Sequence, residues 1–523
     1  MLRGRIKKEI EKLAPKGAEF SIFRPEREAF GDYSSNVAMI AAKAEKKNPR
    51  ELAADFKKEL EKSGLFKKIE IAGSGFLNFW ITDGKVAESF GQLSKIKGLP
   101  KLNLGKNNKI QIEYVSANPT GPLTLANGRG GFLGDVLGNV LGLAGFKLER
   151  EYYVNDTGNQ IIILGKSILA SAGLIPREEI FYKGDYVKDW AIKNKTKVKK
   201  FKDNSLKLGQ EAAKDFLKSI KNSLEKKAKI KFDRWTSEDK HIRKRNFVEK
   251  ARALFDKKNL IYKKDGAVWL KTTDFDDDKD RVLITSDGYP TYFLADSGHY
   301  LETLSRGFKK KINILGPDHY GYVARIQAVA EIVGMEESEI IVTQTVRLMK
   351  GGEEFKMSKR KGTFVEFEEL IDEIGLDASR WFFLERSADT HMDIDLEFAK
   401  KQSAENPVYY VQYAHARAAS ILRKARAAST RPPASVFQPQ ELSFIKKLLE
   451  VADVLEDTAK DYQVQRLTAY AHELAQAFSA YYRDVKVLGS GEDESRRLFI
   501  VKSAKNILGS LLKLLGISAP ERM

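Results

Sequence analysis

At 523 residues with 42% apolar side chains, the chain has room for two to four domains rather than one core. Its 90 Lys+Arg outnumber 72 Asp+Glu, and the resulting +18 fits either a polyanionic partner or a lysine-rich solvated surface. Cysteine is absent, which excludes disulfides, thiolate metal sites and cysteine nucleophiles, and the six histidines (241, 299, 319, 391, 415, 472) show no ligand spacing, so no protein-held metal is expected.

The amino terminus is charged and interrupted by Pro15, without the apolar core of a secretory signal. No apolar run approaches the roughly 20 residues needed to cross a bilayer, so a cytoplasmic protein without membrane contact is expected. Residues 1–60 read as helices, with Ile6, Ile10 and Leu13 at helical spacing. The stretch from Lys67 to Ile81 alternates around Gly73 and Gly75 and predicts short strands, giving an α+β unit over 1–83. A linker follows over 84–109, its polar part running from Leu99 to Lys109.

A different texture starts at Ile110. A short apolar strand runs into the turn formers Ser116-Ala117-Asn118-Pro119-Thr120-Gly121-Pro122, and a helix follows with Phe132, Leu133, Val136, Leu137, Val140 and Leu141 on one face. Strand, glycine-containing turn and helix form the first unit of a nucleotide-binding parallel sheet, so phosphate is expected at the helix start near Asn127 and Gly128. The fold class is therefore multidomain α/β, with a Rossmann-like domain over 110–400 and an insertion at about 165–285. From Tyr186 to Lys231 the insertion carries 15 lysines against 5 acids, either a solvated amphipathic face or an RNA-binding patch. Between Gly266 and Leu294, two strand-like runs flank an acidic turn, and the apolar strand from Lys311 to Leu315 continues the sheet. Residues 401–523 read as an all-α bundle, broken at Arg431-Pro432-Pro433 and Gly489-Ser490-Gly491.

The densest local signal is Lys356-Met357-Ser358-Lys359-Arg360-Lys361-Gly362, with four cations in six residues. Flexible ammonium groups suit a reaction in which charge builds on a departing diphosphate. The order resembles the Lys-Met-Ser-Lys-Ser signature of class I aminoacyl-tRNA synthetases. That class's partner signature, His-Ile-Gly-His, falls after Gly121-Pro122-Leu123, where this chain has Thr124-Leu125-Ala126-Asn127. Both histidines are replaced; Asn127 keeps an amide donor and Thr124 a hydroxyl.

Further segments are similar to arginyl-tRNA synthetases: Glu113 through Pro122, Glu151 through Gln160, Asp287 through Asp296, Asn406 through Arg417, the terminal Gly516 to Met523, and Phe30 to Asn36. The resemblance implies a class I ligase that activates L-arginine with ATP and Mg2+ and loads tRNA(Arg), with a tRNA-binding amino-terminal unit and a helical anticodon-binding domain. A monomer is expected. A guanidinium offers five donors in a plane, so its pocket needs carboxylates and oriented acceptors. By resemblance, Asp296 and Tyr292 hold the guanidinium, and Glu113 and Asn118 the α-ammonium. Lys356, Lys359, Thr124 and Asn127 take catalytic roles, and Gly121, Pro122, Gly128, Met357 and Ser358 line the ATP site. Asp318 and His319 belong to the ATP or amino-acid pocket, with a buried structural histidine as the alternative for His319. Tyr409, Tyr410, Tyr413, Arg417 and Met523 face tRNA. Two rivals stay open here: a tRNA-binding protein that lost catalysis with the two histidines, and an enzyme for another cationic amino acid.

Overall fold

In the computed structural model, which describes residues 1–355, 366–425 and 437–523, the amino-terminal part is a four-stranded antiparallel sheet packed by helices Leu2–Glu11, Val37–Glu45 and Pro49–Glu61. Strands Phe66–Ala72 and Phe76–Ile81 pair as their alternation predicts, turning through Gly73 and Gly75. Strands Ile22–Phe23 and Tyr33–Ser35 complete the sheet inside a stretch expected to be helical; two or three residues are too few to show a period of two. The expected linker also differs. Helix Asp83–Leu93 buries Val86, Phe90 and Leu93, and the Phe90 ring meets Phe437 and Phe499 of the carboxy-terminal bundle edge-on at 5.9 and 5.6 Å.

The catalytic sheet has five parallel strands: β1 (Lys109–Tyr114), β2 (Lys147–Val154), β3 (Arg234–Ser237), β4 (Lys310–Leu315) and β5 (Glu337–Val342), in the order β5-β4-β1-β2-β3. The strand order reverses between β1 and β4, which opens a crevice at their carboxyl ends. Helix α1 (Leu125–Leu143) follows β1 and contains six glycines, a composition that disfavours an isolated helix. Packing explains them: a Cβ at Gly134 would lie 2.3 Å from the Tyr114 ring, so the helix approaches the sheet closer than alanine allows.

The helix Asn159–Ser171 and the insertion that it leads into share a separate core of Ile161, Leu164, Ile168, Trp190 and Leu208. Strands Ala267–Leu270 and Arg281–Ile284 form the expected antiparallel pair, joined by Ile261–Lys264 as a third strand. This small sheet is separate from the parallel one, and helix α2 (Tyr292–Ser305) follows it. The bundle comprises α3 (Pro407–Lys424) and the helices Pro439–Leu449, Val451–Asp461, Gln465–Asp484 and Glu494–Leu515. The break at 489–491 separates the last two, whereas Arg431 to Pro433 lie outside the described residues.

One buried hydrophobic cluster runs from Leu2 through Leu137 to Ile517, so the three parts share a core. Among the described residues no helix is long and apolar enough to cross a membrane, and no group of three or more His, Asp or Glu side chains is placed to hold a metal ion.

Candidate active site

Glu113 lies near the carboxyl end of β1, at the crevice. The next residues bend sharply: Val115 and Ser116 have φ of 67° and 38°, and the Ser116 N–H donates to the Tyr114 carbonyl across Val115 (2.9 Å). A γ-turn centred on a β-branched residue costs on the order of 1–3 kcal/mol. It is held by the Ser116 hydroxyl, which donates to Glu113 Oε1 (3.0 Å) and accepts the Tyr153 N–H (3.0 Å). Asn118 in the following loop is exposed.

Thr124 is the N-cap of α1. Asn127 Oδ1 accepts both the Thr124 N–H (2.9 Å) and the Thr124 hydroxyl (3.0 Å). With the oxygen committed, the Asn127 amide nitrogen is left as a donor at the positive end of a 19-residue helix. Gly121 sits under the Tyr186 ring of the insertion; a Cβ there would be 2.9 Å from it. Gly128 is less available to phosphate than its position suggests. Its N–H donates to the Thr124 carbonyl (3.2 Å), and a Cβ would fall 2.3 Å from the Phe367 ring. Lys356, Met357, Ser358 and Lys359 lie outside the described residues. The residue that follows the undescribed stretch is placed: Glu366 bridges to Thr124, and the Phe367 N–H donates to the Leu123 carbonyl (2.8 Å).

Asp296 and Tyr292 share a face of α2, as their spacing of four predicts. Asp296 accepts the Tyr322 hydroxyl (2.8 Å), and no ion pair to it is found among the described residues. Burial, and after it the charges of Glu238 and Glu113, push its carboxyl up to about 7 despite the Tyr322 bond. Glu238 is itself 1% exposed, and burial raises it although it pairs with Arg243 (2.7 Å). The Asn155 amide, oriented by its acceptors, donates to Glu238 (3.2 Å). Tyr153 is buried and stacks on His299 at 4.4 Å; burial, then Glu238, Asp296 and Glu113, hold its hydroxyl well above the usual range. Three carboxylates thus converge on one crevice, and among the described residues Lys311 and Arg243 pair with Glu113 and Glu238 while Asp296 has no cation, an environment that favours a cationic ligand. Neither Glu238 nor Tyr322 stood out in the sequence, because nothing local marks an acid or a tyrosine as buried.

The turn Pro317–Tyr322 after β4 delivers Tyr322 to Asp296, but Asp318 and His319 remain exposed. His319 pairs loosely with Asp318 (3.5 Å), and with its side chain 49% exposed it is not the buried histidine of the alternative reading. On α3, Tyr409 and Tyr413 stack nearly parallel at 6.4 Å, and Arg417 lies over Tyr413 (5.7 Å) and Tyr482 (5.0 Å). Tyr413 and Arg417 are exposed. Tyr410 points the other way: its hydroxyl meets Ser479 (3.1 Å) and its ring meets His472, which makes it a packing residue. Met523 is 51% exposed at the chain end.

Three family models match this chain: arginyl tRNA synthetase N terminal domain over 1–81, tRNA synthetases class I (R), catalytic domain over 92–419, and DALR anticodon binding domain over 411–523. It is 41% identical to an arginine–tRNA ligase of Syntrophotalea carbinolica, covering 97% of this chain and 95% of that protein. A Listeria monocytogenes arginine–tRNA ligase is 40% identical, with 95% and 93% covered. A Campylobacter jejuni crystal structure named for arginyl-tRNA synthetase superposes with a TM-score of 0.75 at 34% identity, covering 85% of this chain and all of that one. Thermus thermophilus arginyl-tRNA synthetase shares the fold with a TM-score of 0.79 at 20% identity, over the whole of both chains.

Proposed function

The chain belongs to the arginyl-tRNA synthetases, class I arginine–tRNA ligases, and on that premise we propose how its own residues divide the work. The guanidinium of L-arginine sits against Asp296 and Tyr292, with Glu238 as a further acid behind them. Glu113 and Asn118 take the α-ammonium. ATP lies across Gly121 and Pro122, with its phosphates toward the Asn127 amide at the start of α1. Mg2+ enters with ATP rather than in a protein cage. Asp318 and His319 border the same crevice from the end of β4.

In the first step an oxygen of the arginine carboxylate attacks the α-phosphorus, the bond to the bridging oxygen breaks, and pyrophosphate leaves carrying the electron pair. Lys356 and Lys359 neutralise that departing charge, with Met357 and Ser358 as further ATP-binding residues. In the second step a terminal ribose hydroxyl of tRNA(Arg) attacks the arginyl carbonyl and AMP leaves. Proximity and charge stabilisation suffice; no covalent enzyme intermediate is required. Residues 1–83 and the bundle over 401–523 hold the tRNA, with Tyr409, Tyr413, Arg417 and Met523 on the anticodon side. The chain acts as a monomer in the cytoplasm.

The observation that supports this reading most is Asp296: a half-buried carboxylate whose one described partner is a tyrosine hydroxyl, so its missing counter-charge is the substrate's. Charging of a tRNA(Arg) transcript, compared between the unaltered chain and Lys359→Ala, tests the division of labour. Turnover falls by about 100-fold or more while arginine affinity holds, in line with loss of one transition-state contact. Unchanged turnover would remove Lys359 from the mechanism.

A further inference from the structure

Lys311 is a lysine in the middle of a parallel sheet with no exposed side-chain surface. Ile312 and Ile314 point to the opposite, apolar face of the sheet, whereas Asn313 shares the face of Lys311 and accepts the Tyr300 hydroxyl (2.9 Å). A lone ammonium buried there would be costly, so its partners must explain it. Lys311 Nζ lies 2.9 Å from Glu113 Oε2 and 3.4 Å from His299 Nδ1, and over the Tyr300 ring at 4.7 Å. An ammonium only donates, which assigns the acceptor role to His299 Nδ1 and the ring proton to Nε2, facing Glu151 Oε1. Glu151, wholly buried, is also held by Arg306 (2.7 Å), and Arg306 by Glu302 (2.9 Å).

The second partner of Glu113 Oε2 is Asn313 Nδ2 (2.9 Å), which stands opposite Glu113 in the β1–β4 register. Among the described residues, Oε1 receives the Ser116 hydroxyl alone. One carboxylate oxygen is therefore fixed from inside the sheet, and the other is left for an incoming group.

We propose that Lys311 is a positioning residue for the α-ammonium end of arginine: through a buried relay of Glu113, Lys311, His299, Glu151 and Arg306, it fixes the Glu113 carboxylate so that Oε1 faces the substrate. This rests on the reading that Glu113 receives the ammonium. Burial alone would raise the Glu113 carboxyl, and the Lys311 charge reverses that and lowers it. The charged and titratable groups facing Glu113 are Lys311 on β4, His299, Tyr300 and Asp296 on α2, and Glu151 and Tyr153 on β2. Without Lys311, Glu113 stands near two other acids and takes up a proton, and a neutral acid does not hold an ammonium.

The test compares calorimetric binding of L-arginine with that of 5-guanidinopentanoate, which is arginine without its α-amino group, to the full chain. Both ligands carry the guanidinium, so titration of Asp296 divides out of their affinity ratio. In the unaltered protein the ratio favours arginine and stays flat from about pH 6.5 to 8.5. Lys311→Met lowers arginine affinity about ten-fold or more at neutral pH, leaves the analogue within about two-fold, and makes the ratio rise with pH. Lys311→Gln, which keeps a donor without charge, carries the same expectation should the methionine variant not fold. Glu113→Gln separates the two layers of the argument. If it leaves the ratio unchanged, the ammonium reading of Glu113 fails; if it collapses the ratio while the Lys311 variants keep the original flat value, the proposal for Lys311 fails by itself.

Discussion

The Phe367 amide donates to the Leu123 carbonyl at 2.8 Å, so the chain returning from the lysine segment is stitched to the turn that opens α1. Backbone hydrogen bonding thus joins Leu123 and Thr124 to Glu366 and Phe367, more than 200 residues away in sequence. The Phe367 ring then packs where Gly128 has no side chain.

Gly128→Ala tests that contact. The new methyl would sit 2.3 Å from the Phe367 ring, which must move. Overpacking of this kind costs about 1–3 kcal/mol. A lower midpoint in thermal unfolding and a raised ATP KM in pyrophosphate exchange are expected together, because the ring and the phosphate turn share one backbone bridge. An unchanged midpoint would show that the ring adapts freely.

Asn127→Asp separates capping from ATP binding. The acid keeps the oxygen that accepts from Thr124 and adds negative charge at the amino end of α1, so thermal stability is retained or gains a few tenths of a kcal/mol. It also removes the amide donor and repels phosphate, so the ATP KM rises about ten-fold or more. A stable variant with unaltered ATP kinetics would remove Asn127 from the phosphate site.

Asp296 makes arginine binding depend on pH. Its carboxyl lies at about 7 in the free protein, and a bound guanidinium lowers it, so binding below that value must release a proton. Arginine affinity therefore falls about ten-fold per unit as pH drops below 7 and levels off above it. The stability effect has the opposite sense. The folded value exceeds the unfolded one of 3.8, so folding is most favoured by this group below 3.8, and that advantage disappears as pH rises through 7. Calorimetric titration of arginine from pH 5.5 to 8.5 checks the first statement, with a flat profile as the contrary result.

On the tRNA side, Tyr413→Ala is expected to weaken tRNA binding by about 1–3 kcal/mol, the worth of one stacking platform. Arg417→Ala reduces the slope of affinity against salt by about one. Tyr410→Phe loses a bond to Ser479 and changes stability rather than tRNA affinity. Filter binding across a salt series resolves all three.

The strand-turn-helix unit around 110–145 was legible because its signals are local: an apolar strand, a run of turn formers, and one apolar helix face. The helix Asp83–Leu93 was equally local, with Val86, Phe90 and Leu93 at helical spacing, yet the polar stretch after it drew the boundary too early. Lys311 and Glu238 were not legible. A lysine within an apolar strand reads as an edge residue, and burial comes only from partners supplied by β1 and α2. Tyr322 likewise gains meaning from α2, which brings Asp296 to it. Resemblance, rather than spacing, identified Asp296 and Tyr292; spacing showed that a helix would put them on one face.

The most direct test of guanidinium recognition is calorimetric binding of arginine and of ATP to Asp296→Asn in the full chain. Arginine affinity falls by about 100-fold or more, as expected when the charge partner of a desolvated guanidinium is lost, while ATP binding stays within about two-fold. Arginine binding as tight as in the unaltered protein would contradict the account.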